Sequence, residues 1–377
     1  MSTLSTPILQ FGTSRFLQAH ADLFVSEAME AGEALGPVAV VQTTASPESA
    51  ARIAAMADGA GYPVRIRGLK AGSRIDEERR GRAVRRALQA DRDWAEVRRI
   101  AVEEAAVILS NTGDRGFDLD ERDDAALIAD PTRVPRSFPA KLAVLLFARW
   151  QKRPDAPISL FPCELVSRNG DRLRDLVAGL AGAWGLSEGF VAYLHERCRW
   201  ANSLVDRIVS EPIQPVGAVA EPYALWAIEA QDGLVLPCRH EAIVVTDDLP
   251  RYERLKLHLL NLGHTYLAER WLEGGRAADE TVLQIMNDPA IRADLEAVWA
   301  EEVLPVFAAE GLGEEAAAYA GEVRDRFLNP FLAHRIADIA QNHAEKKRRR
   351  LAPVIALAEQ HGLDIPQTRL RAACAGL

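Results

Sequence analysis

The sequence predicts an α/β protein in two parts: a doubly wound, largely parallel sheet over residues 1–249, then an all-α domain over residues 250–377. Three observations predict it. Short apolar runs alternate with helix-periodic segments through the first part of the chain. The first of those runs ends in a glycine-bearing turn that opens a helix. Beyond Asp247-Asp248-Leu249-Pro250 the strand signal disappears and helical periodicity takes over.

In order along the chain, Pro7 to Phe11 reads as a buried strand broken by Gly12-Thr13-Ser14. Arg15 to Ala31 repeats Phe16, Ala19, Leu23, Phe24 and Ala28 at helical spacing, and Pro37 to Gln42 is a second buried strand, completing a βαβ opening. Trp94 to Glu104 reads as helix, Ala106 to Ser110 as an apolar strand, Phe138 to Trp150 as helix and Ile158 to Pro162 as strand. Asp171 to Arg199 is helical in pattern, while Ala224 to Glu229 and Ala242 to Thr246 look like late strands. Past Pro250, helices are expected over Tyr252–Glu273, Asp279–Met286, Ile291–Phe307, Glu314–Phe327, Pro330–Ala344 and Pro353–His361. A sheet of this kind takes its ligands at the carboxyl ends of its strands.

Composition narrows the function. The 377 residues are 48% hydrophobic and 26% charged, with a net charge of −9, which argues against nucleic acid as a main partner. The basic run Lys346-Lys347-Arg348-Arg349-Arg350 is the local exception, either a solvated helix end or a basic wall facing an anionic substrate. Cys163, Cys198, Cys238 and Cys374 are scattered without a CxxC pair, which suits reduced thiols and supports neither a disulfide framework nor a metal site. No basic region leads into an apolar core at the N-terminus, and no apolar run is long enough to span a bilayer. The expectation is a cytoplasmic protein, monomer or homodimer, with no membrane or nucleic-acid partner.

Two segments carry candidate chemistry. Gln10-Phe-Gly12-Thr13-Ser14-Arg15-Phe16 stands where a Rossmann-like dinucleotide fold places its phosphate turn, making Gly12, Thr13, Ser14, Arg15 and Phe16 candidate cofactor residues. It keeps a single glycine, since Ser14 and Leu17 occupy the positions where GxGxxG would continue, so an ordinary strand-to-helix turn is the alternative. The second strand ends Val41-Gln42-Thr43-Thr44, without the acidic residue that usually holds an adenine ribose. The other segment is Lys256-Leu-His-Leu-Leu-Asn261-Leu-Gly-His264. On an α-helix turning about 100° per residue, Asn261 lies about 140° and His264 about 80° from Lys256. A lysine that trades a proton with a substrate oxygen, beside two neutral groups that orient it, fits carbonyl–alcohol chemistry. A solvated helix face is the alternative.

Several segments together resemble the mannitol dehydrogenase family, the polyol-specific long-chain dehydrogenases, and especially its uronate-reducing members. Phe11-Gly-Thr-Ser-Arg-Phe16-Leu-Gln-Ala-His20 is similar to the family's Gly-x-Gly-x-Phe-x-Arg-Ala-His turn. Ser110-Asn111-Thr112, Phe138-Pro-Ala-Lys141-Leu142, and Pro162-Cys163-Glu164-Leu165 followed by Asn169-Gly170 resemble further segments. So do Ser203-Leu-Val-Asp206-Arg207-Ile208 and Arg326-Phe327-Leu-Asn329-Pro330 with His334. Lys256, Asn261 and His264 have the family's Lys-x4-Asn-x2-His spacing.

The resemblance implies metal-independent hydride transfer between a nicotinamide cofactor, NAD with NADP left open, and a small-molecule sugar acid or polyol. Lys256 would be the general acid/base, Asn261 a donor to the developing oxyanion, and His264 the holder of a neighbouring hydroxyl or of the lysine. Asn111 and Thr112 would join the cofactor turn. Asn169, Arg326, Arg335 and Lys346 would be substrate residues, the last three as partners for a carboxylate. Glu164-Leu165 stands where polyol-oxidising members have Asp-Asn, which favours a keto-uronate/aldonate pair of the tagaturonate/altronate or fructuronate/mannonate kind. A mannitol-type polyol dehydrogenase is the rival, and a non-catalytic dinucleotide- or sugar-acid-binding protein the alternative of another class.

Overall fold

The computed structural model describes residues 5–44, 46–113 and 115–377. They form two compact units: one of residues up to 65, 78–220 and 224–249, the other of residues 66–77, 221–223 and 250–377.

The first unit is built on six strands: β1 (Ile8–Phe11), β2 (Val38–Gln42), β3 (Val84–Gln89), β4 (Val107–Ser110), β5 (Ile158–Pro162) and β6 (Cys198–Trp200). They lie in the order β3-β2-β1-β4-β5-β6, every neighbouring pair parallel. This is the order of a dinucleotide-binding Rossmann sheet, with the reversal of strand order beside β1. β1, β2, β4 and β5 are buried along their whole length. That is why they read as continuous apolar runs rather than as alternating ones.

Helices Trp94–Glu103, Phe138–Lys152 and Asn169–Ala183 cover the sheet, packing Val97, Leu142, Leu145, Leu173 and Val177 on Leu9, Phe11, Val41, Ile108 and Leu160. Each such side chain stabilises the unit by roughly 1.5–3 kcal/mol. Phe138–Lys152 starts where Ser137 caps the Ala140 N–H with Pro139 in its first turn, and it ends with Arg149 and Lys152 near the carbonyl pole. A smaller sheet pairs Leu225–Glu229 antiparallel to Ser203–Asp206 and parallel to Ile243–Thr246.

Two local readings are corrected here, and one strand, β3, had no reading. The helix expected over Arg15–Ala31 is two helices, Arg15–Ala19 and Ala21–Ala31, because His20 leaves the helical region at φ −124°, ψ −98°. β3 carries Arg85 and Arg86 on the sheet's edge, where part of the strand meets water, and so lacks an apolar run. The stretch read as helix over Asp171–Arg199 is two helices, Asn169–Ala183 and Glu188–Glu196, and then β6.

In the second unit, residues 250–377 are helical around a core that includes Leu259, Tyr266, Leu267, Ile285, Trp299, Phe327 and Leu351. Gly263 allows close packing there, since a Cβ would meet Trp299 at 2.9 Å and Phe327 at 3.0 Å. The helix expected over Pro330–Ala344 is instead a loop, a short helix Ile336–Ile339, and the start of His343–Arg350. Pro330 disfavours helix at Asn329, and the Asn329 side chain accepts from the Phe331 N–H at 2.9 Å to form a turn. Asn342, at φ +54°, separates the next two helices. Among the described residues no helix is long and apolar enough to cross a membrane.

Candidate active site

In the first unit, β1 ends at the reversal point in Gly12, whose φ is +107°. A Cβ there would lie 2.4 Å from the Asn111 carbonyl oxygen, so glycine lets the β1 turn close on the end of β4. Gly12 N–H donates to the Val41 carbonyl and Asn111 N–H to the Phe11 carbonyl, each at 3.0 Å. Thr13 is held by Gln42 at the end of β2 through its hydroxyl, and Gln18 Nε2 donates to its carbonyl at 2.9 Å. Ser14 caps the Arg15–Ala19 helix, and its Oγ also donates to Asn111 Oδ1 at 3.2 Å. Arg15 is exposed and Phe16 half-buried, stacked on His20 at 4.7 Å.

Asn111 Nδ2 donates to the Cys163 carbonyl at 2.9 Å. Glu164, 4% exposed, accepts from Thr112 N–H at 2.9 Å, Thr112 Oγ1 at 2.8 Å and Ser110 Oγ at 2.9 Å. Burial pushes its carboxyl above the usual carboxylate range against those bonds. Glu164 thus pins the loop after β4, a role with no sequence signal, since nothing in the chain marks that carboxylate as buried. Beside this loop, Thr43, Thr44, Thr112, Ser137 and Lys141 line a cleft of about 360 Å³. Lys141 donates to the Pro135 and Arg136 carbonyls, and burial brings its amine down to about 8.

Asn169, expected as a substrate residue, spends its amide on the backbone around it. It is 1% exposed, and its Nδ2 donates to the carbonyls of Pro162, Glu164 and Ser203. Its Oδ1 accepts from the Gly170 and Ser203 N–H groups, so both ends of the amide tie β5 to the following segments.

In the second unit, Lys256 and Asn261 bound a π-helical turn between Leu249–Leu255 and Leu262–Glu273. Leu262 N–H donates to the Leu257 carbonyl, an i→i+5 bond. This wider turn replaces the regular α-helix assumed from the sequence. Five residues now make close to one turn, so Asn261 comes back toward the side of Lys256 instead of lying about 140° away. Single π turns inserted in α-helices recur at functional sites. Lys256 and Asn261 are half-buried, whereas His264 is 8% exposed. The His264 ring stacks on Phe327 at 4.4 Å and meets His334 edge-on at 5.0 Å. Burial lowers the basicity of His334 and of His258, whose Nδ1 lies 3.0 Å from the Arg350 carbonyl oxygen.

The candidate carboxylate partners separate. Arg326 is committed to a buried ion pair, its Nε and Nη2 donating to the two Glu221 oxygens at 3.0 and 2.9 Å, with its guanidinium over the Tyr223 ring. With Nε and Nη2 closed on Glu221, Arg326 acts in the structure as a buried internal tie. Arg335 is exposed and donates to the Ala278 carbonyl at 3.4 Å. Lys346 is half-buried, its amine 2.7 Å from the Ile339 carbonyl.

The Rossmann strand order, with the close-packed Gly12 turn at its reversal point, defines a dinucleotide-binding module, and the chain joins it to a helical domain. Family models agree in both parts: the mannitol dehydrogenase Rossmann domain matches residues 6–234 and the mannitol dehydrogenase C-terminal domain residues 248–377. The chain belongs to the mannitol dehydrogenase family and is a nicotinamide-dependent dehydrogenase acting on CH–OH groups. It is 32% identical to the altronate oxidoreductase of Bacillus subtilis (strain 168), covering 94% of this chain and 76% of that one. With the altronate oxidoreductase of Escherichia coli O7:K1 it shares 30% identity over 98% of this chain and 78% of that one. The fold is similar to that of a substrate-free D-sorbitol dehydrogenase (TM-score 0.84, 20% identity, 98% and 80% covered). It is also similar to the Pseudomonas fluorescens mannitol 2-dehydrogenase in ternary complex with NAD and D-mannitol (TM-score 0.72, 20% identity, 99% and 79% covered).

Proposed function

We propose that the chain reduces a keto-uronate to an aldonate with NADH, and runs the reverse oxidation, on a tagaturonate/altronate-like or fructuronate/mannonate-like pair. The observation that carries the reading is the π turn bounded by Lys256 and Asn261, in a chain about 30% identical to altronate oxidoreductases over nearly its whole length.

The Gly12–Phe16 turn, Asn111 and Thr112 hold the dinucleotide. The fit rests on the glycine that lets the turn close on β4 and on the cleft at the ends of β2 and β4. A bound nicotinamide supplies the hydride in reduction and accepts it in oxidation. In reduction the Lys256 ammonium gives its proton to the ketone oxygen; in oxidation the neutral amine takes the hydroxyl proton. The Asn261 amide donates to the same oxygen as negative charge develops on it. His264, kept in place by Phe327, holds the neighbouring hydroxyl. Lys346 attracts the carboxylate end.

Gly12→Ala is expected to weaken NADH binding by roughly 10–100-fold, because an alanine at φ +107° is strained and its Cβ forces the turn away from Asn111. Fluorescence titration of NADH checks this, and unchanged affinity would remove the turn from the cofactor site. For the substrate, kcat/KM with NADH is expected to be higher for tagaturonate or fructuronate than for fructose by about 100-fold. Preference for the uncharged ketose would favour the polyol reading, and NADH binding without turnover of any ketose, polyol or uronate would favour a non-catalytic binder.

A further inference from the structure

The basic run at 346–350 divides by partner. It occupies the helix His343–Arg350, which packs on the helix carrying His264. On one side of it, His343 Nε2 and Lys347 Nζ reach the same carboxylate, Glu269, at 2.5 and 3.1 Å. Arg348 lies 3.7 Å from Glu345. Lys346 and Arg350 are four residues apart and so neighbours on the helix surface. Their hydrogen bonds go elsewhere: Lys346 Nζ donates to the Ile339 carbonyl, and Arg350 Nη1 to Thr265 Oγ1 at 3.0 Å and the Asn261 carbonyl at 3.4 Å. Among the described residues neither has a carboxylate within ion-pair distance, although both are half-buried.

Burial, and then the charge of Arg350, lowers the basicity of Lys346; burial, and then Arg349, lowers that of Arg350. Two like charges drawn from water side by side are costly, and a bound anion offsets that cost. Their place is specific. Arg350 bonds the backbone of Asn261 and the hydroxyl next to His264. The charge of Lys346 acts on His334, whose ring lies 5.0 Å from His264. Asp338 is the acid that acts on His334 in the opposite sense.

We infer that Arg350, with Lys346 one turn before it, is the carboxylate seat of the substrate and the residue that selects a sugar acid over a neutral ketose. Nη1 is spent on Thr265 and Asn261, which fixes the guanidinium plane and leaves its other edge to meet a carboxylate in two parallel bonds. The inference rests on the keto-uronate reading above.

The test is the ratio of kcat/KM for tagaturonate to that for fructose, with NADH, in the unsubstituted protein and in Arg350→Gln, Arg350→Lys and Lys346→Gln. Losses common to both substrates cancel in the ratio. Arg350→Gln is expected to lower it by roughly 10–100-fold, Lys346→Gln by less, and Arg350→Lys to recover part by keeping charge without the fork. If the unsubstituted protein shows no preference for the uronate, the keto-uronate reading falls and the seat with it. If it prefers the uronate and Arg350→Gln leaves the ratio unchanged, the seat is overturned while the reaction stands. Should Arg350→Gln fail to fold, an unchanged ratio in both Arg350→Lys and Lys346→Gln overturns it equally.

Discussion

Lys256→Ala is expected to lower kcat for ketone reduction by roughly 10²–10⁴-fold, the usual contribution of a positioned general acid, while NADH affinity stays within about twofold. The split follows from where the residues lie. Lys256 belongs to the helical second unit, while the Gly12 turn, Asn111 and Thr112 belong to the first. An alanine removes the proton donor and changes no group of the cofactor turn. It also keeps helical propensity, so the π turn to Asn261 is not broken by the substitution itself. Stopped-flow turnover beside NADH titration checks both halves of the expectation. Near-normal turnover would take Lys256 out of the mechanism, and a parallel loss of NADH affinity would mark it as a residue that maintains structure.

Arg326→Met is expected to destabilise the protein by about 3–5 kcal/mol, because breaking a buried pair leaves an uncompensated carboxylate. Both side chains of the Arg326–Glu221 pair are 2% exposed, so water screens neither. The double variant Arg326→Met/Glu221→Leu is expected to recover much of that loss, since removing both charges also removes the desolvation cost. Urea denaturation of the single and double variants measures this. A loss below about 1 kcal/mol in the single variant would mean that the pair behaves like an exposed one.

What the sequence disclosed, and what it hid, follows the same physics. β1, β2, β4 and β5 were legible because strands buried on both faces must be apolar throughout. β3 was hidden because an edge strand tolerates Arg85 and Arg86, and β6 because its three residues follow directly on a helix. Pro330–Ala344 carries apolar residues at helical spacing, yet Pro330 and the left-handed Asn342 divide it. The Lys256–Asn261–His264 spacing was visible, but the π turn was not, since no residue type demands an i→i+5 bond.

Site residues behaved similarly. Gly12 was recognisable because a positive φ and a close approach both require glycine. Asn169 and Arg326, expected as substrate groups, are bonded inside their units. A side chain's partner is a property of tertiary contact that spacing does not report. For the same reason the contacts of Glu164 and Arg350 were not legible, although one pins the loop after β4 and the other touches the backbone of Asn261.

The most direct measurement is hydride transfer itself. The protein is incubated with NADH deuterated at the transferring C4 position and tagaturonate, and the products are analysed by mass spectrometry. One deuterium is expected on the new carbinol carbon of the aldonate, appearing at a rate that Lys256→Ala reduces. Deuterium that remains in the dinucleotide, or that reaches a hexitol from fructose in preference to the aldonate, would contradict a keto-uronate reductase.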